Sequence, residues 1–147
     1  MTNLGTIQDE AERRELFRRL HSLTPASQAR FGTLDAPRML CHMQDQIRVA
    51  LGDTECRQHR SVFRFPPLRW LALRLPVPKG KLKTVREMQQ AQPVDWKADM
   101  RVLVELTERL AAADMTAPHP VLGRLGLKTW GVLTWKHFDH HLAQFGA

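Results

Sequence analysis

Two histidines four residues apart, inside a run of helix-forming residues near the end of the chain, constrain this sequence more than any other feature. Trp130 to Phe145 reads WGVLTWKHFDHHLAQF and holds three of the seven histidines. Trp130, Val132, Leu133, Phe138, Leu142 and Phe145 supply an apolar face at helical spacing. Gly131 is read as lying in the first turn, where it costs little. On such a helix His137 and His141 stand one above the other, with Cβ atoms about 6 Å apart. Two imidazoles so placed can converge on one metal at about 2.0–2.1 Å each. The plain alternative is a pair of histidines at the edge of a buried face, bonded to carbonyls or water. His140 lies about 100° round the helix from His141 and reads as an interface or supporting residue. Asp139 is expected to face solvent.

A second helix starts at Asp35-Ala36-Pro37, with Asp35 as its N-cap and proline in the first turn. It runs to about Leu51 and stops at Gly52. Met39, His42, Met43, Gln46, Ile47, Ala50 and Leu51 share its inward side. His42 is therefore a third imidazole available to the same interior. Alone, such a histidine is more often a satisfied core residue than a ligand. Three protein ligands with an open position describe a catalytic type of zinc site. Asp45 and Gln46, one turn on, can orient ligands or bound water.

The rest of the chain reads as further helix and connection. Thr6 to Leu20 is the first helix, acidic early and arginine-rich late as the helix dipole favours. Phe65 to Pro76 reads as a short helix bracketed by prolines, near 66–75. It covers the mouth of the fold, docks on a partner subunit, or lies on a membrane surface; covering is the default for so short a piece. Pro78-Lys79-Gly80-Lys81 reads as a basic turn, and residues 84–90 hold one or two helical turns. Pro93 marks another start, with Trp96, Met100, Leu103, Val104, Thr107, Leu110 and Ala111 in one stripe through Ala113. Residues 116–127 are a Pro/Gly loop, from which His119 can approach one end of the fold. The expected fold is all-α: a four-helix bundle with long crossover connections, in one domain over 1–147.

Composition narrows the setting. There is no apolar run near the length of a transmembrane helix and no signal-peptide pattern. Cys41 and Cys56 fall in no paired-ligand spacing, and a reduced, cytoplasmic setting is expected. The net charge of +7 is uneven: nine lysines and arginines, from Arg57 to Arg86, fall between Glu55 and Glu87 with no acidic residue among them. Such a segment attracts anions or simply solubilises the surface. No helix-turn-helix or aromatic-basic interleaving points to nucleic acid. No membrane partner is expected, since only the 65–76 piece could serve one.

With LDAPRMLCHMQDQIRVALGD (34–53) and HPVLGRLGLKTWGVLTWKHFDHHLAQFG (119–146) in view, the chain resembles the DinB/YfiT-like superfamily of metal-binding four-helix bundles, within it a bacterial branch of uncharacterised domains. The resemblance extends over nearly the whole chain. It implies a divalent metal, zinc or nickel first, held by His42, His137 and His141. It also implies a homodimer, and an activity among metal-dependent small-thiol transferases, hydrolases or isomerases. Some members lack the metal ligands; here all three are present. The resemblance includes a Ser or Thr cap on the last helix, where this chain has Gly126 or Leu127. A small anionic thiol such as glutathione is the expected cosubstrate, drawn by the basic segment. The alternative is a non-catalytic, metal-stabilised binding or interaction module. Asp45, His119 and His140 are candidates for acid–base roles.

Overall fold

The computed structural model describes residues 4–79 and 85–147. Among these the chain is all-helical, with five α-helices and no strand: α1 (Glu10–His21), α2 (Ala36–Leu51), α3 (Pro66–Arg74), α4 (Trp96–Ala111) and α5 (Leu127–Gln144). Single 3-10 turns occupy Val62–Arg64 and Arg86–Met88. The sequence expectation for Gly80, Lys81 and Lys83 lies outside the described residues.

Local chemistry sets the helix ends. Asp9, Asp35 and Asp95 each accept from the amide three residues on, so each satisfies an otherwise orphaned N–H. These caps move two starts. The first helix begins at Glu10 rather than Thr6, and α4 begins at Trp96 after its Asp95 cap. α2 closes on Gly52 in the left-handed region, at φ 79°. α5 has Gly126 at its N-cap and no side-chain cap bond.

α2 packs along α4 and against α5, and α1 packs against α5. Met39, Leu40, Met43, Ile47 and Ala50 of α2 meet Leu103 and Leu110 of α4, Phe138 and Leu142 of α5, and Leu16 and Leu20 of α1 in one buried cluster. Each large side chain there contributes about 1.5–3 kcal/mol over its exposed state. Trp130 is fully buried, and its indole N–H donates to the Ala117 carbonyl at 2.9 Å. That bond ties the loop before α5 to the core.

Gly131 has a different role from the one its sequence position implies. α5 starts at Leu127, so Gly131 is in the second turn and is buried. A Cβ there would collide with the Gln8 amide, which donates to the Leu127 carbonyl. The Ile7 amide also donates to the Gly131 carbonyl. The missing side chain lets the segment before α1 lie against α5. No helix among the described residues is long and apolar enough to cross a membrane.

Candidate metal centre

α2 and α5 bring His42, His137 and His141 together. His42 Nε2 lies 2.9 Å from His137 Nε2, and His141 Nε2 lies 3.0 Å from the same atom. One ring nitrogen from each residue falls within 4.8 Å of the others, and the three can hold a metal ion. Ligand nitrogens that share a metal at about 2.0–2.1 Å stand roughly 3 Å apart, which fits the separations to His137.

The far side of two rings decides what the near side presents. His42 Nδ1 is 2.8 Å from the Met88 carbonyl, an acceptor only, so this nitrogen carries the proton. His141 Nδ1 is 2.7 Å from Gln144 Oε1. The Gln144 amide N–H donates to the Phe31 carbonyl at 2.9 Å, which turns its oxygen toward His141. His141 Nδ1 therefore also carries the proton. Both Nε2 atoms are left with lone pairs directed inward, the form that ligates metal. His137 Nδ1 is buried and meets no partner among the described residues.

Burial keeps these rings neutral. It lowers the pKa of His42, against the Met88 carbonyl, which raises it. It drives His141 down to about 3, with the neighbouring His42 adding to the effect. His137 falls well below its ordinary value through burial and then through His141 and His42. At neutral pH the cluster has no more than one proton to share among its inward nitrogens. A cation satisfies all three lone pairs where hydrogen bonds cannot, so the donor set fits a metal.

Asp45 supports the site at one remove. Its Oδ2 accepts from the Gln90 and Ala91 amides, each at 2.7 Å. It thereby pins the segment whose Met88 carbonyl receives His42. Gln46, expected to help orient ligands, does not line the cavity; it is buried, and its Oε1 meets no partner among the described residues. His119 is not in the cluster. Its Nδ1 accepts from the Val121 and Leu122 amides, its ring lies 5.2 Å from Trp130, and burial pushes its pKa down to about 4. His140 stands with its ring 5.1 Å from His141 and 5.6 Å from Phe31. Asp139, expected to face solvent, is half-exposed and accepts from Arg19 at 2.8 Å.

The three histidines open on a cavity of about 780 Å³ that Phe31, Leu34, Val77 and Pro78 wall on the apolar side. Arg38, Gln92, His140 and Gln144 line it on the polar side. No carboxylate lines it among the described residues. The basic segment is largely elsewhere: none of Arg57, Arg60, Arg64, Arg69 or Arg74 lines the cavity. Arg64 is spent on the His59 and Pro120 carbonyls and on Gln58. Lys79 does not line the cavity, but its Nζ stands 5.2 Å from the ring of Phe31, which does. α3 does not roof the cavity either; Val77 and Pro78, just beyond it, form the rim.

The structure adds Met88 and Gln144 to the residues named from sequence. Met88 acts through its backbone and leaves no sequence signal. Gln144 was findable, since it lies three residues beyond His141 on the same helical face. A family model described as a protein of unknown function (DUF1569) matches residues 9–147. No curated protein and no solved structure matches the chain.

Proposed function

The chain belongs to this family of unknown function, and we propose that it is a divalent-metal protein of the DinB/YfiT-like four-helix-bundle kind. In this reading α1, α2, α4 and α5 are the bundle, and His42, His137 and His141 hold zinc or nickel. The activity is transfer to or from a small thiol. The observation that carries the reading is the pair of fixed tautomers: Met88 and Gln144 hold two rings so that their free nitrogens meet His137. A bound divalent ion supplies Lewis acidity, which lowers the pKa of a thiol or water and gives a nucleophile at neutral pH.

The chain's own residues prepare that chemistry. Phe31, Leu34, Val77 and Pro78 give the cavity a low-dielectric wall, where charge interactions strengthen. Arg38 on the wall and Lys79 near Phe31 attract an anionic thiol. His140, kept neutral by burial, can take the thiol's proton. The cavity has no carboxylate among its described lining residues, which favours a thiol, easily ionised, over hydrolysis by a carboxylate-activated water. The same lack of a carboxylate base is what a non-catalytic, metal-stabilised binding module would have, and that is the second reading. A homodimer goes with either.

Elemental mass spectrometry of untagged protein tests the site, run beside His42→Ala, His137→Ala and His141→Ala. About one metal per chain, lost in each variant, supports the centre. No metal in the wild type after reconstitution with zinc and nickel refutes it. With metal established, turnover of glutathione-class thiols with an electrophile supports the transferase. Binding without turnover leaves the module.

A further inference from the structure

The segment 62–75 inverts the pattern of a water-facing surface. Val62 is 67% exposed, Phe65 62%, Trp70 56% and Leu75 52%, with Phe63, Leu68 and Leu71 exposed beside them. No residue of α3 is buried. The helix is tethered along one side. Arg69 donates to the Arg124 carbonyl at 3.2 Å, and Lys136 Nζ donates to the Ala72, Leu73 and Leu75 backbone carbonyls. Arg69, Ala72 and Leu73 fall on that side at helical spacing. Pro67, Leu68, Trp70, Leu71 and Leu75 fall on the other. A contiguous apolar face of this kind marks a binding surface rather than scattered exposed residues.

Charge identifies the occupant. Arg57, Arg60, Arg74 and Lys79, on and flanking this segment in the chain, are exposed, and the sequence has no acid between Glu55 and Glu87. A second copy, docked through the same face, would set these cations against themselves in a chain of net charge +7. An anionic surface neutralises them. The Arg74 guanidinium lies 4.1 Å over the Trp70 ring, which pairs an indole with a cation as at the headgroup level of a bilayer. Phe63, Phe65 and Leu71 supply apolar groups for the acyl boundary.

We propose that residues 62–75 are a peripheral anchor for anionic lipid bilayers. The sequence alone set this role aside for want of more than one short piece, because the exposure of Val62, Phe63 and Phe65 is a tertiary fact.

Vesicle flotation of the intact protein tests it, with phosphatidylcholine vesicles with and without phosphatidylglycerol. Wild type is expected to float with the phosphatidylglycerol vesicles and not with pure phosphatidylcholine. Binding should weaken about tenfold or more in the double variant Trp70→Ser/Leu71→Ser, and with added salt. Both side chains are exposed, and circular dichroism checks that the variant keeps its helices. Arg60→Gln/Arg74→Gln gives a second test through charge, and should also weaken binding. The proposal is overturned if the wild type floats with neither vesicle, or if Trp70→Ser/Leu71→Ser leaves flotation unchanged. It is also overturned if sedimentation velocity shows a dimer that the same substitutions abolish, which would assign the face to a second copy.

Discussion

Replacing Gln144 tests the site through a residue that touches no metal. Gln144→Met keeps the length of the side chain and removes both its bonds, to His141 Nδ1 at 2.7 Å and to the Phe31 carbonyl at 2.9 Å. His141 then has nothing to hold its tautomer, and a ring in the wrong tautomer turns a proton toward the metal. Loss of such a partner weakens metal affinity about 10–100-fold, or about 1.4–2.7 kcal/mol. Gln144→Glu separates positioning from packing. Its carboxylate still accepts from His141 Nδ1 and makes the ring a better donor, yet it cannot donate to the Phe31 carbonyl. Affinity should hold or rise in this variant while stability falls by about 1–3 kcal/mol. Zinc competition against a chromophoric chelator reads affinity, and urea unfolding of the metal-free proteins reads stability. Affinity lost in both variants in step with stability would mean that Gln144 only packs, and the tautomer argument would fail.

Four further outcomes follow from the structure. Asp45→Ala strips the Gln90 and Ala91 amides of their acceptor and should cost about 2–4 kcal/mol in urea unfolding; a cost within error of zero would mean that water replaces the carboxylate. Gly52→Ala should cost about 1 kcal/mol through backbone strain at φ 79°, since its Cβ would meet only Ala117 at an ordinary 3.7 Å; a stabilised variant would show that the C-cap relaxes. The metal-free protein should lose stability as pH falls from about 6.5 toward 4, because His119, with its pKa pushed down to about 4, is neutral when folded and takes a proton when unfolded. The loss attributable to His119 is at most about 3.4 kcal/mol, and it should appear as a pH-dependent difference between wild type and His119→Asn, whose amide oxygen can replace Nδ1 as acceptor; parallel pH profiles would refute it. His137→Met should raise the melting temperature of the metal-free chain and abolish metal binding, since it removes a buried nitrogen without a hydrogen-bond donor; a lower melting temperature would make His137 a packing residue.

Much of this arrangement is legible along the chain, and what is not has identifiable causes. The i, i+4 spacing of His137 and His141, and the place of His42 among Met39, Met43 and Ile47, follow from helical periodicity alone. The Asp35 cap and Gly52 stop are equally local. The helix starts at Glu10 and Trp96 differ from those the sequence suggests because Asp9 and Asp95 cap more effectively than the residues before them. The cost of filling Gly131 depends on Gln8, far away in sequence. The predicted turns at 84–90 are realised as a single 3-10 turn, Arg86–Met88, whose value is one carbonyl facing His42. No residue pattern encodes which backbone group a tertiary fold will aim at a ring. Charge is a different case. The basic segment is expected to draw an anion, and in it Arg64 and Arg69 hold loop carbonyls while Arg57, Arg60, Arg74 and Lys79 are exposed.

The buried polar residues bear on whether the histidine cluster is a site or only part of the core. Gln44, Asp45, Gln46 and Gln144 are all buried among apolar neighbours, and each such group costs free energy unless it is bonded. Gln44 donates to the Asp99 carbonyl, Asp45 holds the 90–91 amides, and Gln144 bridges Phe31 and His141. Asp45 and Gln144 fasten the irregular segments that wall the cavity onto α2 and α5, and these are the segments that also fix the rings or line the mouth. Leucine at Asp45 or Gln144 would leave the Gln90 and Ala91 amides or the Phe31 carbonyl without that partner. The arrangement becomes economical once the inward nitrogens have something to bind. Three imidazoles that meet at one point, two of them with their protons committed outward, form a set that hydrogen bonding leaves incomplete and a cation completes.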